Sequence, residues 1–124
     1  MTIDVLRYLG KRYERDALGP DAFDCFTLAL RVQRDLGHAI EPPAGYAYGT
    51  IPPEEWFRLW RAVEPCDVRE GDVLVVPGYP RGVGTVVGAD ARRVLTITPA
   101  AGVVVVRRSA FESGGVVSRW RAAS

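Results

Sequence analysis

The 124-residue chain is long enough for one hydrophobic core and too short for two. Its 48% apolar and 25% charged residues are the balance of a globular protein, not of a disordered or fibrous one. A net charge of +1 gives no reason to expect nucleic acid. The opening Met1-Thr2-Ile3-Asp4 has no basic segment ahead of an apolar run, and residues 103–106 form an apolar stretch far too short to cross a bilayer. Two cysteines, Cys25 and Cys66, make no disulfide framework, so synthesis in a reducing cytoplasm without a signal peptide is expected.

The apolar period is helical in the first half and strand-like in the second. Residues 4–16 predict a first helix with Val5, Leu6, Leu9 and Tyr13 on one face, closed by a loop at Gly19-Pro20. A second helix is expected over 24–36, capped by Asp21 or Asp24 and stopped by Gly37. Its apolar face carries Cys25, Phe26, Leu28, Ala29, Leu30, Val32 and Leu36. Residues 41–53 read as an ordered surface loop holding Tyr46 and Tyr48. Pro53-Glu54-Glu55 then opens a short third helix with Trp56, Phe57, Leu59 and Trp60 as a core or interface face.

From Gly71 onward five strands are expected, at 73–77, 83–88, 94–98, 103–107 and 116–121. The short Gly- and Pro-rich breaks between them, one of them Gly78-Tyr79-Pro80, suit an antiparallel meander. A helical half (about 1–62) on one side of a sheet half (about 71–122) is an α+β arrangement in a single domain, 1–124. The arginine pairs at 92–93 and 107–108 read as solvated strand ends, not as a phosphate-binding stripe.

Chemistry points first to Asp24-Cys25-Phe26-Thr27-Leu28. The first turn of a helix leaves amides unpaired and carries partial positive charge, which stabilises a thiolate and can hold an oxyanion. A cysteine on the inner face of a helix is also a common packing residue. The single histidine, His38, lies thirteen residues beyond Cys25. That is about 20 Å along a helix axis, against a hydrogen-bond reach of about 3 Å. Two cysteines and one distant histidine complete no tetrahedral metal set, so neither metal nor cofactor is expected, and Cys66 reads as a packing residue.

The order of motifs adds a resemblance. Leu9-Gly10-Lys11-Arg12-Tyr13, the Gly-Pro loop and Phe23-Asp24-Cys25-Phe26-Thr27-Leu28 come first. They are followed by Gly71-Asp72-Val73-Leu74, Gly82-Val83-Gly84-Thr85-Val86-Val87-Gly88, and Thr96-Ile97-Thr98-Pro99 ahead of Gly102-Val103. Over nearly the whole chain this series resembles the NlpC/p60 family, papain-like cysteine peptidases that cut the peptide stems of bacterial cell walls. The resemblance implies a papain-like fold, with N-terminal helices packed on a C-terminal antiparallel sheet of about five strands. It places Cys25 at the nucleophile, with Tyr13 and Asp24 as family-matched neighbours. Gly82 falls where the family carries its base histidine, and Thr96 or Thr98 where it carries the residue that orients the base. The Ser-Gly that usually follows Asp-Cys is here Phe26-Thr27.

The nucleophile position is kept and the base is lost. An ordinary thiol is only a few per cent ionised at neutral pH, and general acid–base help is worth about 10² to 10⁴ in rate. Neither glycine nor threonine supplies it. Asp24-Cys25-Phe26-Thr27-Leu28 and Ser118-Arg119-Trp120-Arg121 resemble the phage tail-tip subgroup in particular. The implied role is a structural or assembly component of a phage tail tip, with hub and neighbouring tail proteins as partners, no nucleic acid and no membrane span. The alternative is an active cysteine peptidoglycan hydrolase that opens the wall during genome delivery, with peptidoglycan as its partner and a base from another chain. A third reading is an unrelated α+β binding domain with Cys25 in its core.

Overall fold

Short turns between valine-rich segments favour antiparallel pairing, and near-continuous apolar runs favour a sheet covered on both faces. The computed structural model describes residues 3–38, 40, 60–76, 82–116 and 118–123. The expected loop with Tyr46 and Tyr48, the expected third helix up to Leu59 and the Gly78-Tyr79-Pro80 turn lie outside the described residues. Two short strands, β1 (Arg12–Tyr13) and β2 (Ala22–Phe23), pair in parallel ahead of α1 (Cys25–Asp35). Then come β3 (Trp60–Ala62), β4 (Val73–Val76), β5 (Gly82–Val87), β6 (Arg93–Thr98), β7 (Gly102–Arg107), α2 (Arg108–Phe111) and β8 (Ser118–Ala122). Strands β3 to β8 form one six-stranded sheet in the order β3-β8-β4-β5-β6-β7, and every neighbouring pair is antiparallel. The architecture is α+β. Among the described residues no helix is long and apolar enough to cross a membrane.

The meander from β4 to β7 is the expected one. The last strand departs from it: β8 does not extend the meander beyond β7 but returns to pair with β4. Trp60, expected on a helix, instead opens β3 opposite Ala122 and is buried. Pairing with β8 decides the conformation of Trp60.

The expected first helix is also corrected. Only a 3-10 turn forms, Val5–Arg7, with the Asp4 carboxylate accepting from the Leu6 amide at 3.2 Å. Gly10 then takes φ +83°, a left-handed conformation that ends any helix, and the chain enters β1. Val5 and Tyr13 pack against the main core, but Leu6 is 78% exposed and Leu9 is exposed too, so the expected apolar face is split. Helix α1 agrees with expectation to within a residue at each end. Beyond its last turn the Gly37 and His38 amides bond back to the Arg34 and Gln33 carbonyls, at 3.0 and 2.9 Å.

Alternation along the strands sorts side chains onto two faces. Val73, Val75, Val83, Val87, Leu95, Ile97 and Val103 join Phe26, Leu28 and Val32 of α1 in the main core. Leu74, Val86, Ala91 and Val94 form a second cluster, closed by Val68, Val106 and Phe111 of α2. Each fully buried aliphatic or aromatic side chain contributes about 1.5–3 kcal/mol.

Tyr8 fastens the N-terminal turn to α1. It is buried, and its hydroxyl donates to Asp35. Burial, then the hydrogen bond to Asp35 and that residue's charge, push its phenol well above the ordinary value of about 10. In the unfolded chain the phenol ionises near pH 10, while in the folded protein it keeps its proton. Its contribution to stability is therefore complete below about pH 10 and falls away as the pH rises further. Urea unfolding from about pH 8 to about pH 11 will show the wild type losing more stability over that range than Tyr8→Phe. Equal losses would show that the tie does not act this way.

Candidate thiol site

Cys25 occupies the first position of α1 because Asp24 caps the helix. Asp24 is extended (φ −94°, ψ 179°) and its carboxylate accepts from the Thr27 amide at 2.8 Å, while the Thr27 hydroxyl accepts from the Asp24 amide at 2.9 Å. The same hydroxyl donates to the Ala17 carbonyl at 2.6 Å and ties the preceding loop to the helix. A cap of this kind is worth about 1 kcal/mol. Asp24 is fully buried and its carboxylate is bound to a backbone amide, which holds the helix start in place. Cys25 is 3% exposed and belongs to the main core cluster.

Tyr13 reaches the same place on β1, in register with Phe23, two residues ahead of Cys25. Burial, then the electrostatic influence of the neighbouring Cys25 and Asp24, push its phenol up. Tyr13, Asp24 and Cys25 are thus brought together.

Gly82 and Thr96 are not brought to them. Gly82 opens β5 opposite Val76, and a Cβ there would lie 2.6 Å from Val76 Cγ2 and 3.9 Å from Phe111 Cζ. Those atoms belong to the face under α2, and α1 packs on the other face, beside Val83. Any side chain at this register points through the sheet away from Cys25. Thr96 alternates with Leu95 and Ile97, which face α1, and its hydroxyl donates to the Val83 carbonyl at 2.9 Å. Thr98 accepts from the Ala101 amide at 3.0 Å and closes the β6–β7 turn. Neither position 82 nor position 96 therefore faces Cys25 across the sheet.

His38 stands at the far end of α1 from Cys25, as its sequence position requires. There it lines a cleft of about 440 Å³ with Gln33, Arg61, Glu70 and Arg121. Sequence reasoning missed this cleft, since its residues come from five separated segments. Cys66 lies exposed in the 3-10 turn Pro65–Asp67, so it is not the packing residue expected. Among the described residues no cluster of three or more His, Cys, Asp or Glu could hold a metal ion. No protein-family model matches the chain, and no curated protein matches it.

Proposed function

We propose that this chain is a non-catalytic α+β domain of papain-like descent, built on an NlpC/p60-like scaffold whose thiol site has been retired. Its role in this reading is that of a structural or assembly component of a phage tail tip, bound to hub and neighbouring tail proteins. The observation that carries the non-catalytic part is the burial of Cys25 at a capped helix start, with the chain's one histidine at the opposite helix end. A thiol so placed has helix-terminal polarisation but lies a helix length from the chain's one histidine, and amide cleavage also requires a proton delivered to the leaving nitrogen. The tail-tip part is supported by the ordered motifs of the sequence, an argument by resemblance.

Muropeptide release from purified peptidoglycan tests the first part. Wild type and Cys25→Ala are both expected to release nothing above buffer. Release by wild type that disappears in Cys25→Ala would make the protein a wall endopeptidase. A tagged chain expressed during phage infection is expected to co-purify with tail proteins. Recovery of the chain alone as a monomer would overturn the assembly role.

A further inference from the structure

The arginine pairs that read as separate solvated strand ends meet at one end of the β6–β7 hairpin. Arg93 lies directly opposite Arg107, and the Arg108 amide bonds the Arg92 carbonyl at 2.7 Å, which places the second pair opposite each other as well. The Val103 amide points away from β6, to the Lys11 carbonyl at 2.9 Å. By strict alternation Val103, Val105 and Arg107 all belong to the non-hydrogen-bonded pairs of this ladder, where facing side chains come closest. Arg93 and Arg107 are thus two like charges at the tightest cross-strand spacing, an arrangement that costs stability.

Little nearby offsets that cost. Arg108 is engaged, bonding the Ala91 carbonyl at 2.7 Å and Glu112 at 3.3 Å. Among the described residues the guanidiniums of Arg92, Arg93 and Arg107 make no hydrogen bond or ion pair, and all three are exposed. Together with Asp90, Ser109 and Glu112 the four arginines line an open cleft of about 520 Å³, four cations against two carboxylates.

The same alternation bears on the backbone. Strand β7 ends the sheet order, and among the described residues Lys11 bonds its edge at Val103 and lies against Gly102. The amide and carbonyl of Val105 and the amide of Arg107 face outward from β6, and no bond to them is made by any described residue, while the Arg107 carbonyl opens α2. An unpaired valine edge invites another strand. A second copy of β7 would bring its own arginine against these, so self-pairing is repelled. An acidic strand meets both the open amides and the unpaired guanidiniums.

We propose that the outer edge of β7 from Val105 to Arg107, with Arg92, Arg93 and Arg107 beside it, is a docking site for an extended acidic segment of a partner protein. The segment adds a strand to the sheet and sets its carboxylates on the arginines. The site follows from the ladder and its charges, and stands whether or not the tail-tip reading does.

The test uses a fluorescein-labelled ten-residue peptide of alternating valine and glutamate, its counterpart with lysine for glutamate, and a single-stranded oligonucleotide of similar length. Fluorescence polarisation is expected to show the glutamate peptide binding at least tenfold more tightly than the lysine peptide. That preference should weaken as salt rises and should be lost in Arg93→Gln/Arg107→Gln. The double variant is expected to melt no lower than wild type, because a like-charge pair has been removed. Hydrogen exchange at the Val105 and Arg107 amides should slow when the peptide binds. No binding, equal binding of both peptides, tighter binding of the oligonucleotide, or binding without protection of those amides would each overturn the proposal.

Discussion

Replacing Arg121 with alanine will lower the unfolding free energy by about 3 kcal/mol or more, a loss readable in urea titrations at neutral pH. Its Nε and Nη2 donate to the two carboxylate oxygens of Asp72 at 2.8 Å each, and Nη2 also reaches the Asp67 carbonyl at 2.8 Å. The Asp72 side chain is 1% exposed, and besides Arg121 it accepts from the Arg69 amide at 2.9 Å. Removing the guanidinium strands a buried carboxylate with that one backbone donor. An exposed ion pair would be worth about 1 kcal/mol at most, and burial decides the difference. The hydrogen bonds and charge of Asp72 hold Arg121 firmly protonated. Arg121→Lys should recover only part of the loss, because an ammonium cannot bond both carboxylate oxygens in the fork geometry. A loss below about 1 kcal/mol for Arg121→Ala would show that the pair is effectively solvated.

This pair also explains where the sequence stopped being informative. Helix α1 was legible because its determinants are local: Asp24 and Thr27 three residues apart, an apolar stripe, and Gly37 at the end. Strands β4 to β7 were legible because valine runs alternate with glycine- and proline-rich turns. The return of β8 to β4 was not, since its side-chain clamp joins Asp72 to Arg121 across 49 positions of sequence. Residues 4–16 failed for the opposite reason. Their local spacing suits a helix, but Gly10 takes a left-handed turn and Arg12–Tyr13 find a partner in β2.

At the candidate site, Tyr13, Asp24 and Cys25 could be grouped from their motifs alone. That positions 82 and 96 lie on the far face of the sheet could not, because a period of two marks alternation without saying which face meets the helix. The arginines were visible as pairs, and only the register of β6 against β7 makes them one surface.

The face assignment has a sharp steric consequence at Gly84, two residues beyond Gly82 on the same side of β5. A Cβ there would collide with Val94 Cγ1 and lie 2.9 Å from Phe111 Cζ and 3.3 Å from the Leu95 carbonyl oxygen. Ordinary carbon contacts sit at about 3.5–4.0 Å, and Val94 is fully buried, with no free space to move into. Gly84→Ala gains about 0.4–1 kcal/mol from a stiffer unfolded chain, while overpacking costs about 1–3 kcal/mol, so the variant will be destabilised on balance. Val94→Ala alone will also destabilise, by leaving a cavity. The two together will cost less than their sum, because the new methyl group fills the space the valine vacates. Thermal or urea unfolding of the four proteins in this cycle measures the coupling. Strict additivity would mean that Gly84 does not face Val94, and the placement of Gly82 on the side of the sheet away from Cys25 would fall with it.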